Sequence, residues 1–196
     1  MASYQVPLHT AHSEIEVKRS RFIAYAAHTS GNDQAKAFIH SLKDKYPDAR
    51  HHCYGFMSGA PWDSNGYGFS DDNEPSGTAG MPIFSHLKHN NIGEITIVVV
   101  RYFGGTKLGT GGLSRAYSDA AKSVLEVLEL TEYVEKETII LEADFSQEAN
   151  IRRKVEEANG KIIQVEYDNK VKLTIELAKN TLLDLPYSVL PSASTT

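Results

Sequence analysis

Ile95-Thr96-Ile97-Val98-Val99-Val100-Arg101-Tyr102-Phe103-Gly104-Gly105-Thr106-Lys107-Leu108-Gly109-Thr110-Gly111-Gly112-Leu113-Ser114-Arg115 is the stretch that decides how this chain folds. Its first six residues are apolar except for Thr96 and rich in β-branched side chains, the mark of a buried central strand. The glycines after Phe103 permit backbone conformations and close approaches closed to other residues. Beyond them Leu113, Ala116, Ala120, Val124, Val127 and Leu128 recur at helical spacing, predicting a long helix to about Leu130. Strand, glycine-rich turn and helix therefore follow one another without a break.

Outward from this unit, residues 14–28 partly alternate polar and apolar and read as one or two strands. A helix follows from Gly31 and ends at Pro47, and residues 51–57 read as another strand. Residues 58–80 hold five glycines and two prolines with almost no periodicity and read as a long loop, of the kind that is usually functional or disordered. Residues 78–90 read as a short helix. Beyond residue 132 the pattern is strand (137–145), helix (147–159, stopped by Gly160), strand (161–167), turn, strand (171–177), and a last short helix over 180–190. That order suggests a ferredoxin-like domain, which normally ends in a fourth strand. The tail, Pro191-Ser192-Ala193-Ser194-Thr195-Thr196, supplies no such strand, so the expectation is a domain lacking it. All eight histidines, and every glycine except Gly160, lie at or before residue 132. The expected division is therefore 1–132 and 133–196, in an α+β chain of two domains.

The chain is acidic overall, net −5, which excludes a globally basic nucleic-acid binder but not a basic patch. Between Val100 and Lys122 stand four basic residues (Arg101, Lys107, Arg115, Lys122) and one acid, Asp119. Backbone N–H groups at a helix start, with the helix dipole behind them, favour an anion, and phosphate is the natural class. The bland alternative is a tight turn with solvated arginines, Arg115 pairing with Asp119 one helical turn on. The nucleotide fingerprints fail. No Lys-Ser or Lys-Thr follows the last glycine, as a P-loop requires, and the dinucleotide pattern lacks its final glycine. No cofactor is expected.

Two further features carry possible chemistry. Asp71, Asp72 and Glu74 concentrate negative charge in the segment Ser70-Asp71-Asp72-Asn73-Glu74-Pro75-Ser76-Gly77-Thr78-Ala79-Gly80. Such oxygens suit magnesium with a substrate phosphate, but equally a capped helix start, or contact with the basic turn that orders both loops. Cys53, the single cysteine, shares a strand face with His51. A thiolate nucleophile needs a base or positive field, whereas a strand cysteine is usually a small buried hydrophobe. The aromatics Tyr54, Phe56, Trp62, Tyr67, Phe69, Tyr102 and Phe103 suit base stacking beside a basic groove, or simply packing. One cysteine allows no internal disulfide and fits a reducing compartment, and no stretch is apolar enough to span a bilayer, so a cytoplasmic location is expected.

Four segments together resemble the IMPACT/YigZ family: Lys18-Arg19-Ser20-Arg21-Phe22-Ile23, His51-His52-Cys53-Tyr54, the acidic loop from Asp71 to Gly80, and the glycine-rich signature from Arg101 to Tyr117. The resemblance implies a first domain like the second-domain fold of a small-subunit ribosomal protein, and a ferredoxin-like second domain like domain five of elongation factor G. It also implies association with translation, which the eukaryotic relatives regulate at initiation. Asn73 departs from the glycine usual there, but asparagine tolerates a left-handed backbone. Three functions are thus in view. The first is a non-enzymatic, translation-associated protein that binds RNA or a ribosomal surface through Arg101, Tyr102, Phe103, Gly104, Gly105, Lys107, Gly109, Gly111, Gly112 and Arg115. The second is a metal-dependent enzyme on a phosphate-bearing small molecule, using Asp71, Asp72 or Glu74. The third is a module for a protein partner in translation control. Arg19, Arg21, His51, Cys53 and Thr78 complete the motif residues.

Overall fold

A computed structural model describes residues 4–179, Thr181 and the backbone of Val189–Leu190. The chain divides into two compact units, residues 1–133 and 134–196.

In the first unit the elements are β1 (Gln5–Pro7), β2 (Ala11–Val17), β3 (Ser20–His28), α1 (Gly31–Lys45), β4 (His51–Met57), β5 (Tyr67–Ser70), α2 (Gly80–Lys88), β6 (Ile95–Tyr102), α3 (Gly109–Glu126) and β7 (Leu130–Glu132). Five strands form one antiparallel sheet in the order β2-β3-β6-β4-β5. The apolar run lies at its centre because both faces of β6 are covered. Ile95, Ile97 and Val99 face the core built with α2 and α3, and Val98 and Val100 join the cluster that includes Ile39 and Leu42 of α1. A strand buried on both faces loses polar alternation whatever its neighbours' direction.

The α3 stripe buries Leu113, Ala116, Ala120 and Val124 as its spacing predicts, and Leu128, beyond the helix end, is buried too, but Val127 is 57% exposed and Tyr117 is fully buried. Residues 58–80, expected to be structureless, contain the edge strand β5 and a 3-10 turn over Ser64–Gly66. Four residues, Tyr67-Gly68-Phe69-Ser70, are too short to show alternation. The helix expected to reach Leu130 ends at Glu126, because β7 pairs with β1.

The second unit comprises β8 (Lys136–Ala143), α4 (Glu148–Glu157), β9 (Lys161–Tyr167), β10 (Val171–Ala178) and β11 (Val189–Leu190). Its sheet runs β11-β8-β10-β9, antiparallel throughout, the strand order of the ferredoxin-like arrangement. Leu141, Leu173, Ile175 and Leu177 pack with Ile151 and Val155 of α4. The missing fourth strand is a misreading: Val189 and Leu190, ahead of Pro191, pair with Leu141 and Ile140. Two residues suffice for a short edge strand, and a pattern search of the tail alone passes over them. The helix expected over 180–190 falls largely outside the described residues.

Candidate functional site

The first unit's chemistry gathers where β4 begins and β6 ends. The acidic loop, the glycine-rich turn and the start of α3 enclose a pocket of about 620 Å³ there. Its lining includes Arg50, His51, Glu74, Tyr102, Phe103 and Lys107.

The acidic loop is held by its own carboxylates. Asp71 Oδ1 accepts from the backbone N–H groups of Ala79 (2.9 Å) and Gly80 (2.8 Å), and Oδ2 from Gly77 (2.7 Å), closing the start of α2. Burial pushes this carboxyl upward, but the three N–H donors outweigh it and hold the group below the usual carboxylate range. Asp72 accepts from the backbone N–H of His52 at 2.7 Å and from Lys43 Nζ at 3.2 Å. Asn73 is left-handed (φ +69°), so the turn survives without glycine. Glu74 turns inward, its side chain 4% exposed, and Oε1 receives Arg101 Nη1 at 2.5 Å and the Tyr117 hydroxyl at 2.8 Å. The acidic loop and the basic strand end therefore meet, as one of the sequence readings anticipates.

Because Asp71 is depressed in the folded state, it contributes stability above the unfolded carboxylate pKa of ~3.9, and this is lost as pH falls through its lower folded value. Asp71→Ala is expected to cost about 1–2 kcal/mol at neutral pH, the range of a lost helix cap. The difference from wild type should shrink as pH drops below ~4 in chemical-denaturation titrations.

This pairing changes the role of Arg101. Its side chain is 7% exposed and bound to a buried carboxylate, so it is a wall of the pocket rather than a solvated cation. Its Nε is buried with no partner among the described residues, a shortfall worth ~1–3 kcal/mol. The carboxylates of Asp71, Asp72 and Glu74 face separate donors, and among the described residues no three His, Cys, Asp or Glu side chains converge as metal ligands would. Cys53 is fully buried, its thiol donating to the Asp71 carbonyl at 3.0 Å, and burial pushes its pKa up. It has the environment of a core residue, not a nucleophile. His51 Nδ1 donates to the Asp72 carbonyl at 2.9 Å and its ring edges the pocket. Thr78 is buried, its hydroxyl donating to the Pro75 carbonyl at 2.6 Å.

Of the free charges, Arg50 and Lys107 line the pocket. Lys18, Arg19, Arg50, Lys107 and Arg115 are exposed, and none makes an ion pair among the described residues. The Arg115–Asp119 pair of the bland alternative does not form. Both residues instead line a smaller neighbouring hollow with Lys18 and Leu108, and Leu108 also lines the main pocket. Arg115 thus flanks the pocket without entering it. Arg21 is engaged with Glu14 at 2.8 Å and lies over the Tyr102 ring. Lys18 and Arg19 form the two-residue turn between β2 and β3, both left-handed (φ +48° and +65°), where asparagine and glycine are the usual choice. Gly104 packs against this turn: a Cβ there would stand 2.0 Å from the Arg19 carbonyl carbon. Gly105 and Gly109 are left-handed at +88° and +72°. Phe103 is 58% exposed at the pocket wall, while Tyr102 donates its hydroxyl to Asp48 at 2.8 Å. Sequence reasoning missed Arg50 and the buried hydroxyl of Tyr117. Arg50 adjoins the His51-His52-Cys53 motif, which was its only signal.

Fold and site together define a two-unit α+β protein with a basic-rimmed pocket beside a glycine-rich helix start. The Impact N-terminal domain model matches residues 18–125, and a domain of unknown function (DUF1949) matches 141–183. An IMPACT family member of Haemophilus influenzae is 41% identical over 182 residues, covering 93% of this chain and 88% of that protein. The IMPACT family member YigZ of Escherichia coli K12 is 43% identical over 183 residues, with coverage of 90% and 87%. A solved structure of a hypothetical protein aligns at TM-score 0.70 and 42% identity over 90% of this chain and 86% of that one. The chain belongs to the IMPACT family. No helix among the described residues is long and apolar enough to cross a membrane.

Proposed function

We infer that this protein acts in translation as a non-enzymatic regulator, binding RNA or a ribosomal surface through its first unit. The family resemblance supports the setting. The observation that carries the binding mode is the set of unpaired, exposed cations at and beside the pocket, Arg50 and Lys107 lining it and Lys18 and Arg115 lining the neighbouring hollow, on a chain of net −5. Arg101 leaves the set of direct phosphate contacts, and Arg50, Lys18 and Arg19 join Lys107 and Arg115. Phe103, 58% exposed with the Arg101 guanidinium over its ring, offers an aromatic surface beside them. The metal-dependent reading needs free carboxylates, and those of Asp71, Asp72 and Glu74 are already engaged.

The test is co-sedimentation with ribosomes and with total RNA at low and moderate salt, comparing wild type with Lys107→Ala and Arg50→Ala. Binding that weakens with salt and with each substitution is expected. No binding to either at low salt overturns the reading. A protein partner remains the second reading, favoured by Phe145 and Tyr167, which stack at 6.3 Å while more than half exposed. Its signature is recovery of a partner unaffected by nuclease.

A further inference from the structure

Strand β2 is the one long, regular edge among the described strands. It runs seven residues with no proline, no lysine and no bulge, and its pairing with β3 is unbroken from Ala11–Ala26 to Val17–Ser20. Edge strands are normally blunted by such devices or kept short. The other edges follow that rule: β5 has four residues, β11 has two, and β9 carries a register shift. The hairpin also fixes which groups of β2 are free. Lys18 and Arg19 are both left-handed, so Val17 and Ser20 close the turn through hydrogen bonds. Alternation then gives Ala11, Ser13, Ile15 and Val17 to β3 and turns the N–H and C=O groups of His12, Glu14 and Glu16 outward. No other element pairs with them among the described residues.

The side chains along this edge match themselves when the strand pairs antiparallel with its own copy. A two-fold axis at Glu14 sets His12 of each copy opposite Glu16 of the other. Glu14 meets Glu14, but each is already held by its own Arg21 at 2.8 and 3.0 Å, so two bare carboxylates do not face each other. On the other face Ser13 stands opposite Ile15, and Ala11 opposite Val17, half-buried side chains that cover one another.

Helix α3 fits the same axis. It lies across β2 and β3, so joining two sheets sets two copies of α3 about two strand spacings apart, ~10 Å, the distance at which helices pack. Arg115, Asp119, Lys122 and Glu126 form one exposed row at helical spacing, and the hollow shared with Val17 and Lys18 puts its first two members on the β2 side. Antiparallel against itself, this row sets Arg115 opposite Glu126 and Asp119 opposite Lys122. Its centre falls between Asp119 and Lys122. Ser123 stands ~3.8 Å along the helix from that centre, and Ser13 ~3.4 Å along β2 from Glu14. These two serines share a hydrogen bond at 2.7 Å, so the centre of the helical row and the centre of the strand lie at one level. The far end agrees, with Val17 beside Arg115 and Ala116. Arg115 and Asp119, without ion pairs in the single chain, gain partners, while Lys122 and Glu126, 3.8 Å apart and well exposed, are free to take new ones.

We propose that β2 and the outer row of α3 form an interface with a second copy of this chain, joining two five-stranded sheets across a two-fold axis at Glu14. Arg50 and Lys107, the cations lining the pocket, belong to neither element, so the RNA-binding reading stands or falls separately, with Arg115 common to both.

The full chain, freed of nucleic acid, is followed by sedimentation velocity from ~5 to ~500 µM. A seam this short is at the small end of specific interfaces, so the mass is expected to rise with concentration from 21.7 kDa toward twice that. Asp119→Lys, at an exposed helical position, sets two lysines against each other on both sides of the axis. It should weaken association at least roughly tenfold with an unchanged circular dichroism spectrum, and adding Lys122→Glu should restore association. Glu14→Cys should give a disulfide-linked dimer on mild oxidation, because hydrogen-bonded residues facing across an antiparallel pair stand ~5.5 Å apart at Cα, within disulfide reach. Lys36→Cys, on α1, should not, and neither should wild type, whose one cysteine is buried. A mass fixed at 21.7 kDa up to ~500 µM overturns the proposal. So does a dimer that tolerates Asp119→Lys and leaves Glu14→Cys unlinked, since it uses another face. Neither result bears on RNA or ribosome binding, which is read from Arg50 and Lys107.

Discussion

Glu74→Ala is expected to destabilise the first unit by about 3–5 kcal/mol, the cost of leaving a buried charge without its partner. Glu74 and Arg101 are 4% and 7% exposed, so solvent cannot replace the lost carboxylate. The substitution also strips the Tyr117 hydroxyl of its acceptor inside the core. On the usual scaling for a chain of this size, the thermal transition of that unit should fall by roughly 6–20 °C. A double variant, Glu74→Leu with Arg101→Met, should recover most of the loss, because a buried pair exchanged for apolar groups of similar volume is near neutral. Urea unfolding followed by circular dichroism reads all three proteins. A cost below ~1 kcal/mol for Glu74→Ala would show that the pair contributes no more than a surface ion pair.

That pair also marks the limit of what sequence alone can place. Strand β6 and helix α3 were legible because burial on two faces and on one stripe leaves a periodic trace in Ile95–Tyr102 and Gly109–Glu126. The meeting of Glu74 with Arg101 leaves none, since 27 residues separate them and only the register of β4 on β6 brings the loop over the strand end. Charge complementarity suggested the contact but could not say that it consumes both charges. For the same reason Arg101 reads in sequence as a phosphate ligand, whereas Arg50, which stands free, reads as an ordinary loop residue. Asp71 was legible as a candidate cap and Cys53 as a candidate hydrophobe, each beside a more reactive alternative that burial and backbone donors rule against. The strand β11 was lost for a different cause: two residues carry no period.

The division of cations into spent and free has a quantitative consequence. Each phosphate neutralised on a single strand contributes about −0.7 to the slope of log affinity against log salt. If Lys18, Arg19, Arg50, Lys107 and Arg115 all engage phosphates, the slope for single-stranded RNA is about −3.5, and raising salt from ~50 to ~200 mM weakens binding about 10²-fold. Removing Arg50 and Lys107 together should flatten the slope to about −2, while Lys36→Ala on α1, an equally exposed cation away from the pocket, should leave it unchanged. The double variant Glu74→Leu with Arg101→Met is the telling control. If Arg101 meets phosphate directly, removing it flattens the slope by about 0.7; if its charge is already taken by Glu74, affinity can shift with the shape of the pocket while the slope stays near −3.5. A slope near zero for wild type would mean that these cations meet no phosphate, and the site would then have to be read as a surface for a protein.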